Sequence, residues 1–275
     1  MTGTAITIGT FDGVHRGHRF LLSQLGEWAR RKGLRTLALT FDRHPAGVVG
    51  RAEPPALCTV EEKRALLAEL ADGVEVMPFT PALARLSAYG FMRLLKEERG
   101  AELLLLGYDH RFGHPQEGDD YRRDARSLGI ELHRAEPLAG VSSTAIRQAL
   151  AEGRLAEAND LLGRPYRLTG TVVHGRHVGS TIGFPTANLS TQQALPRTGV
   201  YAGACTLGPC LINVGRRPTL QNGTDVTVEV HVPGFEGNLY GQPLSVSLQR
   251  RLRSERQFPD IDSHRLQIQN DIAQL

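Results

Sequence analysis

A chain of 275 residues, 40% hydrophobic and 22% charged with a formal net charge of +3, has the composition of a soluble globular protein and room for one large or two ordinary domains. It carries no long Lys/Arg run of the kind that binds nucleic acid, and no apolar run approaches the roughly 20 residues of a membrane span. Cys58, Cys205 and Cys210 form no CxxC pair and read as reduced structural thiols of a cytoplasmic protein, and the opening Met1-Thr2-Gly3-Thr4 predicts no secretory leader.

Residues 5–8 form a short apolar strand ending at Gly9. Leu21, Leu25 and Trp28 follow at helical spacing, and Gly33 stops that helix. Residues 34–41 read as the next strand. Thr59 and Glu62 make a capping box ahead of Ala65, Leu66, Leu67 and Leu70. Residues 74–77 are strand-like, and Phe91, Leu94 and Leu95 mark a further helix. Residues 103–106 are four consecutive leucines, as in a parallel strand buried on both faces, and a loop leaves at Gly107. This alternation predicts an α/β domain on a doubly wound parallel sheet. Ser143 is placed to cap a helix carrying Ile146 and Leu150 and ended near Gly153. Leu155, Ala158, Leu161 and Leu162 form another, stopped by Gly163 and Pro165, and the domain boundary is set here: residues 1–160 and 161–275. Beyond Tyr166, short β-rich runs at 168–174, 200–207, 211–214, 225–232 and 244–248 are separated by Gly, Pro and Asn. They predict a small antiparallel barrel. Ile268, Ile272 and Leu275 give a closing helix that packs on it.

Two segments carry chemistry. The first is Gly9-Thr10-Phe11-Asp12-Gly13-Val14-His15-Arg16-Gly17-His18. His15 and His18, three residues apart at a helix start, place both imidazoles on one face. Gly17 leaves room for a phosphate, and the free N–H groups of the helix N-terminus favour one. Adenylyl transfer needs such donors around the α-phosphate. Later, Ser143 and Thr144 offer hydroxyls at a second helix start, with Arg147 within a turn, as a polyphosphate grip. The second segment is Gly183-Phe184-Pro185-Thr186-Ala187-Asn188. Thr186 and Asn188 are hard oxygen donors suited to Mg²⁺. In the strand that follows, Val226, Val228, Val230 and Val232 share the expected core face, and Thr227, Glu229 and His231 share the other. Glu229 can there accept a proton from an attacking alcohol.

The first segment resembles the HxGH signature of the nucleotidyltransferase superfamily. Together with residues 41–45, 107–113 and 141–147, it resembles the FAD synthetase module of bifunctional riboflavin kinase/FAD synthetases. Residues 162–175, 182–189, 199–202, 212–219 and 252–255 resemble riboflavin kinase, so the likeness spans nearly the whole chain. It implies a Rossmann-like N-terminal domain that turns FMN and ATP into FAD and pyrophosphate, and a barrel that phosphorylates riboflavin with ATP. His15, His18, Arg147 and Glu229 are then the catalytic residues. Gly9, Thr10, Phe11, Asp12, Gly13, Asp109, Ser143, Thr144, Gly175, Thr186, Asn188 and Arg253 bind nucleotide or flavin, and Thr186 and Asn188 hold Mg²⁺. The implied partners are riboflavin, FMN and ATP, with no nucleic acid and no membrane. Three positions depart from the family pattern: His110 stands for a Phe, Ser180-Thr181 for Gly-Arg in the phosphate flap (where Arg176 is a substitute cation), and Asn238 for an Asp. Three other readings stay open on sequence alone. One is a riboflavin kinase with a degenerate adenylyltransferase module. Another is an adenylyltransferase of a different small phosphate ester, and the last is a non-catalytic flavin-binding protein.

Overall fold

The computed structural model describes residues 3–108, 120–175, 183–218 and 224–275. The chain forms two compact units, one of Met1–Pro54 and Val60–Val141, the other of Pro55–Thr59 and Ser142–Leu275.

The first unit is a parallel five-stranded sheet in the order β3-β2-β1-β4-β5. Its strands are β1 (Thr4–Ile8), β2 (Arg35–Phe41), β3 (Gly73–Met77), β4 (Ala101–Leu106) and β5 (Glu131–Arg134). The leucine run shows why both faces must be covered. Leu103 and Leu105 pack with Leu21, Leu22 and Leu25 of helix α1 (Arg16–Lys32) and Leu67 of helix α3 (Val60–Ala68), while Leu104 and Leu106 pack with Phe91, Met92 and Leu95 of helix α5 (Ala88–Arg99). Alternate side chains of one strand thus feed two helical layers. Short helices α2 (Pro45–Val48) and α4 (Pro81–Ala84), and α6 (Tyr121–Ser127), complete this unit; the sequence pattern does not give these or β5. Helix α1 ends at Gly33 as expected, with φ 66° and its N–H on the carbonyls of Ala29 and Arg30. Strand order reverses between β1 and β4, so the crevice for a ligand opens at their carboxyl ends, beside Gly9 and Gly107.

The second unit opens with helices α7 (Ser143–Glu152) and α8 (Leu155–Leu162), ended by left-handed Gly153 and Gly163. The cap of α7 differs from the sequence reading: Ser142 accepts from the N–H of Ala145, and Ser143 is already the first helical residue. Either serine satisfies the pattern, and the extended backbone at Ser142 selects it. Strands β6 (Tyr166–Val173), β7 (Ala187–Ser190), β8 (Gly199–Cys205), β9 (Gly208–Pro218), β10 (Thr224–His231) and β11 (Pro243–Arg253) close into a barrel in the order β10-β7-β6-β11-β8-β9. Every pairing is antiparallel. Tyr166 and Tyr201, both fully buried, direct their hydroxyls to the carbonyls of Ala194 and Arg197, so large rings fill the core without stranding a polar atom. Val228, Val230 and Val232 face the core as expected, but Val226 is 40% exposed and falls outside it. Helix α9 (Ile261–Ile272) is capped by Asp260. Its one fully buried residue is Asp271, not an apolar side chain. Leu275 lies beyond the helix and is exposed.

Candidate functional site

In the first unit the loop from β1 to α1 is backbone under tension. Phe11 and Val14 have φ of 46° and 39°, and Gly13 has 79°. Non-glycine residues there cost about 1–3 kcal/mol each. Both side chains are fully buried in the core beside α1, and that burial holds the loop in place. The loop delivers His15 to the helix N-cap, where its Nδ1 accepts the N–H of His18 at 3.3 Å. A neutral His15 therefore carries its proton on Nε2. The two imidazoles stack at 3.6 Å with planes 15° apart, and Phe11 meets His18 edge-on at 5.2 Å. Gly17 permits the stack: a Cβ there would lie 3.1 Å from Cε1 and 3.2 Å from Nδ1 of His15.

His18 is held neutral. Burial pushes its pKa well below 6.5, and the nearby His15 and Lys63 push the same way. Its Nδ1 is sealed from solvent with no hydrogen-bond partner among the described residues. Lys63 of α3, which the sequence reading misses, is itself buried. Its ammonium donates to the carbonyls of Phe41 at 2.8 Å and Thr10 at 3.2 Å, and Thr40 Oγ1 also donates to Thr10 O at 3.1 Å. Its sequence signal is slight: Lys63 shares a helix face with the buried Leu67, but so do many solvated lysines. Nearby, Asp42 accepts the N–H of Phe79 at 2.8 Å, the main cause of its lowered pKa. The loop thus leads from Gly9, Thr10, Phe11, Asp12 and Gly13 into the stacked His15 and His18, with the Lys63 ammonium tied to it at the carbonyl of Thr10. Imidazole N–H groups and a helix start can donate to a phosphate here, beside the Asp12 carboxylate of the same loop.

Ser143, Thr144 and Arg147 lie on the first turns of α7, in the second unit. Arg147 Nε donates to the carbonyl of Pro55 at 2.8 Å. Asp109, His110, Arg176, Ser180 and Thr181 lie outside the described residues.

In the barrel, β10 runs between β7 and β9, and the register sets Glu229 directly opposite Asn188 on one side and Asn213 on the other. Opposed residues share a face, so the carboxylate is flanked by two amides. The sequence shows these residues but not their alignment, which only barrel closure produces. Glu229, Asn213, Thr186, Phe184, Arg253 and Phe258 line a cleft of about 710 Å³. The segment that brings Thr186 there is held by His231, whose Nδ1 donates to the carbonyl of Pro185 at 2.8 Å and whose ring meets Phe184 edge-on at 5.5 Å. Gly175 packs closely on Asn188: a Cβ there would fall 2.1 Å from its Nδ2 and force that amide to move. Arg253, at the end of β11, is engaged by Asp271 through Nε at 2.9 Å and Nη2 at 2.7 Å. Among the described residues no cluster of three or more His, Cys, Asp or Glu side chains forms a metal centre; Thr186 lines the cleft with Asn213, Glu229 and Glu255, and Asn188 stands opposite Glu229.

Family models match in two places: FAD synthetase over residues 1–147 and riboflavin kinase over residues 162–275. The chain is 38% identical to the bifunctional riboflavin kinase/FMN adenylyltransferase of Escherichia coli K12, covering 98% of this chain and 90% of that protein. It is 37% identical to the protein of the same description from Haemophilus influenzae, with 99% and 93% covered. A crystal structure from Streptococcus pneumoniae, described as a macrolide-efflux protein, superposes with a TM-score of 0.85 at 27% identity over 99% of this chain and 93% of that one. Among the described residues here, no helix is long and apolar enough to cross a membrane. With both domains matched in order and relatives aligned end to end, the chain belongs to the family of bifunctional riboflavin kinase/FMN adenylyltransferases.

Proposed function

We propose that residues 161–275 phosphorylate riboflavin to FMN and residues 1–160 adenylylate FMN to FAD, with ATP as co-substrate of both steps in the cytoplasm. The observation that carries the kinase assignment is Glu229 set between Asn188 and Asn213 beside the cleft that Thr186 and Arg253 also line. Glu229 accepts the proton of the ribityl 5′-hydroxyl as that oxygen attacks the γ-phosphorus and the bond to ADP breaks. Asn213 and Asn188 orient the carboxylate and the incoming groups. A hydroxyl and an amide oxygen fit Mg²⁺, a hard cation that keeps waters and shares phosphate oxygens. Thr186 and Asn188 would hold it, and bound there it offsets charge on the γ-phosphate. Gly175 leaves the Asn188 amide its place. Arg253 faces the flavin.

In the second step an oxygen of the FMN phosphate attacks the α-phosphorus of ATP, and pyrophosphate leaves. That phosphate is already ionised near neutral pH, so no side chain need remove a proton. His15 and His18 donate to the α-phosphate oxygens as charge grows. Gly9, Thr10, Phe11, Asp12 and Gly13 cradle the nucleotide; the family likeness assigns Ser143, Thr144 and Arg147 to its phosphates and Asp109 to the nucleotide or its metal. A chromatographic time course of the full chain with riboflavin, ATP and Mg²⁺ tests the whole reading. FMN should rise first and then give way to FAD. FMN that accumulates unconverted would refute the adenylyl step, and unchanged riboflavin would refute the kinase step.

A further inference from the structure

Helix α9 is an unusual wall for a binding cleft. Of its apolar residues Ile261 and Leu266 are exposed and Ile268 and Ile272 half-buried, and its one fully buried side chain is the carboxylate of Asp271, 1% exposed. That carboxylate receives Nε and Nη2 of Arg253 at 2.9 Å and 2.7 Å, and Nε2 of Gln267 at 2.8 Å. Arg253 Nη1 donates to the carbonyl of Ser254 at 3.2 Å. A guanidinium has five N–H donors in a rigid plane. Three are committed here, and the fork held by Asp271 fixes the plane in which the other two point. Arg253 and Asp271 both line the cleft with Glu229, and the guanidinium sits 5.8 Å from the ring of Phe258.

We infer that Asp271 is a positioning residue of the riboflavin site: it orients Arg253 toward the flavin and so makes the C-terminal helix part of flavin recognition, without itself touching the reacting atoms. This rests on the kinase reading given above. A buried carboxylate that served only to anchor the helix would be an expensive device, because an apolar side chain does that with no desolvation cost. An oriented donor pair is something an apolar side chain cannot supply.

The test is steady-state kinetics on the full chain, with flavin affinity read separately by quenching of riboflavin fluorescence. Asp271→Asn is expected to raise both the riboflavin KM and the riboflavin Kd by about tenfold or more, the worth of one misplaced charge-assisted hydrogen bond to the flavin. The KM for ATP and the kcat should change by less than about threefold. Asp271→Glu, which keeps the charge, should fall between the wild type and Asp271→Asn. In an Arg253→Met background, Asp271→Asn should add no further loss, because its effect passes through the guanidinium. The inference is overturned by an unchanged riboflavin Kd, by equal rises in both KM values, by additive losses in the double variant, or by Asp271→Glu no better than Asp271→Asn. Should Asp271→Asn not fold, Asp271→Glu alone decides: its longer arm should raise the riboflavin Kd severalfold, and no change overturns the inference. A wild-type chain that binds riboflavin without phosphorylating it would sink the kinase reading instead, and the fluorescence measurement would still judge the Arg253–Asp271 pair.

Discussion

Replacing Gly17 by Ala separates stability from adenylyl transfer in a single methyl group. Gly17 is the second residue of α1 and has a helical backbone, so Ala fits the chain and improves helix propensity by up to about 1 kcal/mol. The new Cβ, however, would stand 3.1 Å from His15 Cε1 and 3.2 Å from its Nδ1. Carbon contacts relax to about 3.5–4.0 Å, so the imidazole must retreat by roughly half an ångström. The cap bond from His18 N to His15 Nδ1 is already 3.3 Å long and would weaken with that shift. If an ångström of misplacement costs about a hundredfold, half of one costs about tenfold. The expected result is a melting transition displaced by the equivalent of no more than about 1 kcal/mol, FAD formation from FMN down about tenfold, and FMN formation from riboflavin unchanged in the same sample. Chromatography of both reactions with one preparation reads the two rates, and thermal denaturation of the same preparation reads the melting transition. FAD formation at the wild-type rate would refute the claim that packing against Gly17 holds His15 in its working position.

Glu229→Gln keeps the shape but removes the proton acceptor, and should cut riboflavin phosphorylation by about 10²–10⁴-fold while leaving FAD formation from supplied FMN intact; His18→Ala should show the reverse pattern. Lys63→Met withdraws an ammonium from the carbonyls of Thr10 and Phe41. It should cost roughly 2–3 kcal/mol, read as a lower melting temperature, and slow FAD formation as the Gly9–Gly13 loop relaxes. His18 has a folded pKa pushed below its ordinary 6.5. Below about pH 6.5 the unfolded chain therefore binds a proton that the folded chain refuses. Stability should fall as pH drops through that range until the lowered folded value is reached, and the slope should flatten in His18→Asn; equal slopes in the two proteins would refute the assignment.

Local rules make much of the architecture readable. The leucine run at 103–106, the glycine stops at 33, 153 and 163, and the alternation of β10 follow from periodicity and capping alone. The sheet's edge strand β5 does not, because Glu131–Arg134 carries two charged residues and no apolar alternation. Strand β7 is four residues long and merges with its turn. At the sites, the histidine pair announces itself because its residues are neighbours in sequence. The Asn188–Glu229–Asn213 row and the Arg253–Asp271 pair are assembled from segments far apart in the chain. Lys63 is hidden for a different reason: a lysine on a helix is ordinarily solvated, and only the convergence of two strand-end carbonyls makes burial favourable.

The order of strands around the barrel has a consequence for synthesis. Strand β11 sits between β6 and β8, so the ring cannot close until Arg253 has left the ribosome. Until then β6 and β8 each present an open row of backbone N–H and C=O groups, while the β8–β9 and β9–β10 ladders can already form. At about 5–20 residues per second, the stretch from the end of β8 at Cys205 to Arg253 takes seconds to emerge. During that interval the nascent chain is a half-ring with two sticky edges, and a pause in translation within this stretch would prolong its exposure to aggregation.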